Sequence, residues 1–107
     1  MRRGDFVLTA DVSSRGRLRT ALIIQADLFA LTGTVVVLLV TSALVEAPLL
    51  RVLVEPSVDN GLRVRSQVMI DKMLTVERSK VWPAFGRLEE DSMLSVTRSL
   101  TIFLGIA

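Results

Sequence analysis

The chain carries no His and no Cys, so neither imidazole nor thiolate chemistry is open to it. That excludes the usual zinc sites, Ser-His-Asp triads and nucleases built on paired histidines. Chemistry must run on Arg, Lys, carboxylates, hydroxyls and backbone amides. The 13 basic residues are 11 Arg and 2 Lys, and the planar fork of arginine matches phosphate oxygens. The bias is strongest at the start: Arg2, Arg3, Arg15, Arg17 and Arg19 face only Asp5 and Asp11. An Arg-heavy small protein leans toward polyanion contact, although the same residues also make a solvated face that keeps an apolar chain soluble. The one acidic cluster, Glu89-Glu90-Asp91, opens a helical pattern, and a helix N-terminus accounts for it better than a divalent cation.

These groups lie in 107 residues, 50% hydrophobic and 22% charged, which is the size of one domain over 1–107 and too apolar for a disordered tail. Phe6–Ala10 reads as a first strand and Thr20–Gln25 as a second. Ser13-Ser14-Arg15-Gly16-Arg17 is the basic-tipped turn of a hairpin between them. A short helical turn fits Asp27–Gly33. Val35–Val40 is β-branched and apolar, as in a strand buried on both faces, here Thr34–Thr41. Leu50–Glu55 follows as a strand, and Pro56–Gly61 as a turn in which Asn60-Gly61 tolerates positive φ. Gln67–Ile70 and Leu74–Val76 are two short strands separated by Asp71-Lys72-Met73. The acidic run then opens a helix with Met93, Val96, Leu100 and Phe103 on one face, which must lie on the sheet, and Gly105 ends it. Strands first and a terminal helix last give an α+β class: a small, strongly bent antiparallel sheet or partial barrel with a C-terminal helix packed on it.

Leu28–Val45 is uncharged, but Thr32-Gly33-Thr34 interrupts it and a buried strand explains its centre. No membrane segment is expected. Met1–Asp5 lacks a signal-peptide apolar run, and the absence of Cys suits a reducing compartment, so the expected location is cytoplasmic. The apolar surplus exceeds what so small a core can hide, which leads us to expect a homodimer.

Four segments together resemble the MazF/PemK/Kid family of type II toxin–antitoxin endoribonucleases. Arg3-Gly4-Asp5 before an apolar strand is similar to the family's opening motif. Arg19-Thr20-Ala21-Leu22-Ile23-Ile24-Gln25-Ala26-Asp27 resembles its second-strand motif, with Thr20 in place of the usual Pro. Val35–Ser42 resembles the central strand that ends in Thr-Ser. Ser66–Arg78 resembles a segment in which Lys72 and Leu74 replace the usual Gln and Arg. Gly86-Arg87-Leu88 leading to the helix and Leu104-Gly105 extends the likeness over nearly the whole length.

The resemblance implies a CcdB-like, SH3-like fold and cleavage of single-stranded RNA with no metal or other cofactor. The ribose 2′-hydroxyl would attack the adjacent phosphorus, leaving a 2′,3′-cyclic phosphate and a 5′-hydroxyl. It implies that Arg19 contacts the nonbridging oxygens, that Thr41 with Ser42 beside it orients or stabilises the phosphate, and that Asp71 accepts a proton. Arg15, Arg17, Gln25, Lys72, Arg78 and Lys80 would hold the RNA. A cognate antitoxin with an acidic, flexible tail would cover the groove. On residue type alone, Arg19 is also a surface residue at a strand entrance, Thr41 a β-former and Asp71 a turn cap. Phe29, Trp82 and Phe85 could stack on bases, while core packing is the plainer role for each. Two other classes remain open: a CcdB-like toxin that binds DNA gyrase without cleaving RNA, since Phe103–Ile106 resembles that group's ending, and a catalytically silent SH3-like interaction module.

Overall fold

The uncharged run Val35–Val40 sets the architecture, because every second residue points to one of two separate cores. The computed structural model describes residues 1–10 and 15–106. Strand β1 covers Asp5–Thr9, β2 Arg19–Ile23, β3 Thr34–Thr41, β4 Arg51–Val54, β5 Ser66–Glu77 and β6 Gly86–Arg87, followed by helix α1, Glu90–Phe103. The six strands form one curled antiparallel sheet in the order β4-β5-β3-β2-β1-β6. Leu38 and Val40 of β3 join Phe6, Leu22, Val68 and Ile70 on one face, where Val96 and Leu100 of α1 cover them. Val35, Val37 and Leu39 join Val7, Ala21, Ile23 and Val76 on the other. A strand buried on both sides has no polar face, which is why it reads as a continuous apolar run.

The bent sheet with one terminal helix agrees with the sequence expectation, and β3 has the predicted bounds. A short 3-10 turn, Asp27–Phe29, stands where a helical turn was expected. Ser13 and Ser14 of the expected hairpin turn lie outside the described residues. One expectation is corrected: Asp71-Lys72-Met73 does not separate two strands, because β5 is continuous over Ser66–Glu77. Its register with β3 shifts between Leu38, which faces Met73, and Val40, which faces Val68. The polar triplet thus falls at a bulge that bends the strand. Meanwhile β4 keeps the first half paired, from Arg51↔Met69 to Val54↔Ser66.

The helix also differs in detail. Phe103 is 47% exposed, so the apolar stripe runs past the sheet it covers. Glu89 is the N-cap residue but makes no side-chain cap; Glu90 and Asp91 supply the favourable charge in the first turn. Gly105, at φ +73°, ends the helix in a Schellman arrangement: its amide donates to the Ile102 carbonyl and that of Ile106 to Thr101.

The opening residues fasten the two ends of the chain together. The Gly4 amide donates to the Ile23 carbonyl, and the Gly4 carbonyl accepts from Leu88. Asp5 pairs with Arg87 at 2.9 Å, and Arg3 donates to the Ile24 carbonyl and the Thr97 hydroxyl.

The irregular segment between β4 and β5 is built on Asn60, which is fully buried. Its Oδ1 accepts from the amides of Ser57 and Leu62, both at 3.0 Å. Its Nδ2 donates to the Glu55 carbonyl at 2.9 Å and to Glu89 Oε1 at 3.1 Å. Ser57 Oγ donates to the other Glu89 oxygen at 2.5 Å. That hydroxyl bond, more than any other cause, holds the Glu89 carboxyl below the usual range. Gly86 lies so close that a Cβ there would collide with the Asn60 carbonyl. The substitution Asn60→Ala strips the Ser57 and Leu62 amides of their acceptor. At about 1–3 kcal/mol per orphaned buried group, it should lower the unfolding free energy by roughly 3 kcal/mol, read as a reduced urea midpoint.

Candidate nucleic-acid interface

Where β1, β2 and β3 end and the Asn60 segment crosses, the sheet opens into a groove of about 550 Å3. Leu8, Thr20 and Val40 form its floor. Thr41 and Ser42 stand at the end of β3, and Leu62, Arg63, Val64 and Ser66 make the facing wall with Phe85. A volume of this size suits a small ligand or one unit of a polymer. Thr41 is half-buried, and its Oγ1 accepts from the Ala43 amide at 3.0 Å, which leaves the hydroxyl hydrogen to donate.

Arg19 opens β2, half-buried and opposite Thr9. The β2–β3 register runs through Ala21↔Leu39, and carried on by two residues it brings Arg19 level with Thr41. Arg19 is not a lining residue: strand alternation puts it on the face of Ala21 and Ile23, whereas Thr20, on the face of Leu22, lines the groove. Its guanidinium has no hydrogen-bond or ion-pair partner among the described residues. Arg15 and Arg17 are exposed in the stretch that leads into Arg19. The Lys80 carbonyl accepts from Thr9 Oγ1 and the Ala10 amide, at the end of β1 that faces the start of β2.

The remaining expected site residues are elsewhere. Asp71 lies on β5 outside the groove and is paired with Arg51 at 2.7 Å, with Lys72 Nζ at 3.7 Å. The Arg51 hydrogen bond holds its carboxyl below the usual range despite partial burial, so it is a weak proton acceptor. Arg51 Nε is buried without a partner among the described residues, so this guanidinium depends heavily on Asp71. The Gln25 carboxamide is committed to its own loop: it donates to the Phe29 carbonyl and Thr32 Oγ1 and accepts from Val36. Arg78 donates to the Thr32 carbonyl at 2.8 Å, beside that same loop, where β3 begins and not where it ends. Core packing does not describe the aromatics: Phe29, Trp82 and Phe85 are 54%, 44% and 40% exposed. Phe85 stacks on Phe6 with ring centroids 6.1 Å apart and turns its free part to the groove.

Sequence reasoning passed over Arg63 and Ser66. Arg63 lies in Gly61–Arg65, which has neither periodicity nor a motif, and Ser66 only opens the Ser66–Arg78 likeness. The available signal was the Asn60-Gly61 turn, since a turn that reverses the chain at a sheet end brings the residues after it over that end.

The geometry matches known proteins. A family profile described as "PemK-like, MazF-like toxin of type II toxin-antitoxin system" matches residues 2–104. The chain is 44% identical to a probable endoribonuclease MazF of Mycolicibacterium smegmatis, over 100% of this chain and 99% of that one. Its fold matches a mycobacterial endoribonuclease in complex with its cognate antitoxin, with a TM-score of 0.82, 21% identity and coverage of 100% and 97%. It also matches MazF in a MazE–MazF complex from Deinococcus radiodurans, with a TM-score of 0.80, 23% identity and coverage of 100% and 97%.

The Asp71–Arg51 pair has a pH signature. A carboxyl whose folded pKa is depressed adds stability above its usual range, and that contribution is lost as pH falls through the range and below. The variant Asp71→Asn should therefore be less stable than the parent at neutral pH. The gap should narrow as pH falls through the usual carboxylate range and below it, which denaturant unfolding at neutral and acidic pH would check. By sequence and by fold, the chain belongs to the PemK-like, MazF-like toxin family of type II toxin–antitoxin systems.

Proposed function

We propose that this protein is the endoribonuclease toxin of a toxin–antitoxin pair and that it cuts single-stranded RNA in the Thr41 groove. The observation that carries the reading is a groove lined by the hydroxyls of Thr20, Thr41 and Ser42, near the start of a strand whose Arg19 guanidinium has no partner among the described residues. Cleavage by the 2′-hydroxyl needs no protein nucleophile. The 2′-oxygen forms a bond to phosphorus, the 5′-oxygen leaves with a proton, and the products are a 2′,3′-cyclic phosphate and a 5′-hydroxyl.

The protein has to stabilise charge at the five-coordinate phosphorus, and a bidentate guanidinium does this in a partly dry groove. Arg19 takes that role, and Thr41 donates its free hydroxyl hydrogen to a phosphate oxygen, with Ser42 beside it. No carboxylate lines the groove among the described residues, so in this reading the 2′-hydroxyl proton passes to water. Asp71 holds Arg51 and takes no part in proton transfer. Arg15, Arg17 and Lys80 approach the RNA backbone from the β1–β2 side, whereas Gln25, Lys72 and Arg78 lie away from the cut bond.

The partners follow from the same chemistry. An antitoxin with an acidic, flexible tail would place carboxylates on the arginines that phosphates otherwise occupy. Exposed Leu28, Leu31, Leu49 and Val58 are apolar surface that a second copy of the chain would cover.

The test is incubation of the purified protein with defined single-stranded RNA in EDTA. Fragments bearing cyclic phosphate ends are expected, and Arg19→Ala should lower the rate by about 10²–10³-fold, the usual effect of removing one such donor. Thr41→Val should reduce it as well, with the fold intact by circular dichroism. Intact RNA together with binding to gyrase would overturn the reading.

A further inference from the structure

The groove has hydroxyls, apolar walls and one charged lining side chain among the described residues, Arg63. Arginines elsewhere on the sheet are engaged: Arg51 by Asp71, Arg87 by Asp5, Arg78 by a carbonyl. The Glu55 carboxylate is taken by Arg65 through both of its oxygens, at 2.9 and 3.1 Å, and Asp59, nearer in sequence, makes no ion pair with Arg63 among the described residues. Arg63 is therefore left without a hydrogen-bond or ion-pair partner among the described residues. The backbone beneath it is fixed, because Asn60 ties the segment to Ser57, Glu55 and Glu89. A free guanidinium fork on a rigid support, beside an apolar wall, can hold a planar group that offers two adjacent acceptors.

Resting on the reading of the groove as an RNA site, we propose that Arg63 is a specificity-determining residue that reads a guanine. Its fork donates to guanine O6 and N7, while Leu62, Val64 and Phe85 cover the face of the base. Adenine and cytosine present an amino donor on that edge, which faces the guanidinium unfavourably, and uracil offers a single acceptor there. Among the described residues, neither carboxylate nor carboxamide lines the groove to favour those bases instead.

Cleavage sites are first mapped on a long RNA. Four short RNAs that differ only at a nucleotide flanking the cut bond are then compared. Each is made cleavable and, with a 2′-deoxy sugar at the cut, uncleavable, so that binding is read separately. The wild-type protein should prefer guanine at one flanking position by about tenfold, the discrimination usual for a bidentate contact. Arg63→Ala should flatten the preference. Arg63→Lys should flatten it too, because lysine keeps the charge but lacks the fork. Replacing that guanine by 7-deazaguanine removes N7, and should weaken wild-type binding severalfold while leaving Arg63→Ala unaffected. The proposal is overturned if Arg63→Ala keeps the wild-type base profile, or if 7-deazaguanine binds as well as guanine. Cleavage without any guanine preference removes this inference and leaves the nuclease reading standing. If no RNA is cut, the nuclease reading falls, and base preference in the binding series decides the role of Arg63 by itself.

Discussion

A single buried carboxamide holds the groove together. Asn60 uses both of its acceptor sites and both of its donor hydrogens on partners in four places: the start of its own turn, the residue that leads into the groove wall, the end of β4, and the residue before α1. Each of these contacts replaces water inside the protein, so the set is favourable only while it is complete. The tight fit of Gly86 against the same backbone belongs to this arrangement. Because Glu89 supplies one of the partners, the first turn of the helix and the groove wall cannot move independently. That coupling lets an irregular segment, with no ladder of its own, present Arg63 and Ser66 in fixed positions.

The side chains of Arg3, Arg51, Arg65, Arg78 and Arg87 have partners, while those of Arg2, Arg15, Arg19, Arg63 and Arg98 have none among the described residues. Those that join strands or loops are matched by carboxylates or carbonyls, and they stabilise the curl of the sheet. Arg19 and Arg63, at the groove, are matched by nothing in the described residues. A protein that closed every guanidinium internally would have no fork to offer a phosphate or a base.

Much of the fold is legible in the sequence. The central strand is an uninterrupted β-branched run, and its two-sided burial follows directly from that. The helix is visible from its acidic start, its spacing and its terminal glycine. What stays hidden depends on pairings distant in sequence. The unbroken course of β5 through Asp71-Lys72-Met73 comes from β4, which pairs Ser66–Met69 and supplies the Arg51 that neutralises Asp71, and from β3, which takes the strand up again at Met73. Glu89 reads as a capping charge, yet it works as an acceptor for Ser57 and Asn60. Thr41 and Arg19 stand out only through the family resemblance, because as residue types they read as a β-former and a residue at a strand entrance. Arg63 does not stand out, since only the folded loop brings it over the sheet. Gln25, which on sequence could contact a base or satisfy a loop amide, bonds its own loop through its carboxamide.

The ion pairing of the framework arginines also governs how the protein meets a highly charged polymer. With a formal net charge of only +2, the molecule exerts little attraction at long range, so diffusional steering over its whole surface is weak. In physiological salt, fields fade over roughly 8 Å, about the reach of one extended side chain. A strand of nucleic acid would thus drift past most of this protein unhindered and feel a pull only on arriving at the mouth of the groove, which makes capture a short-range event confined to one place.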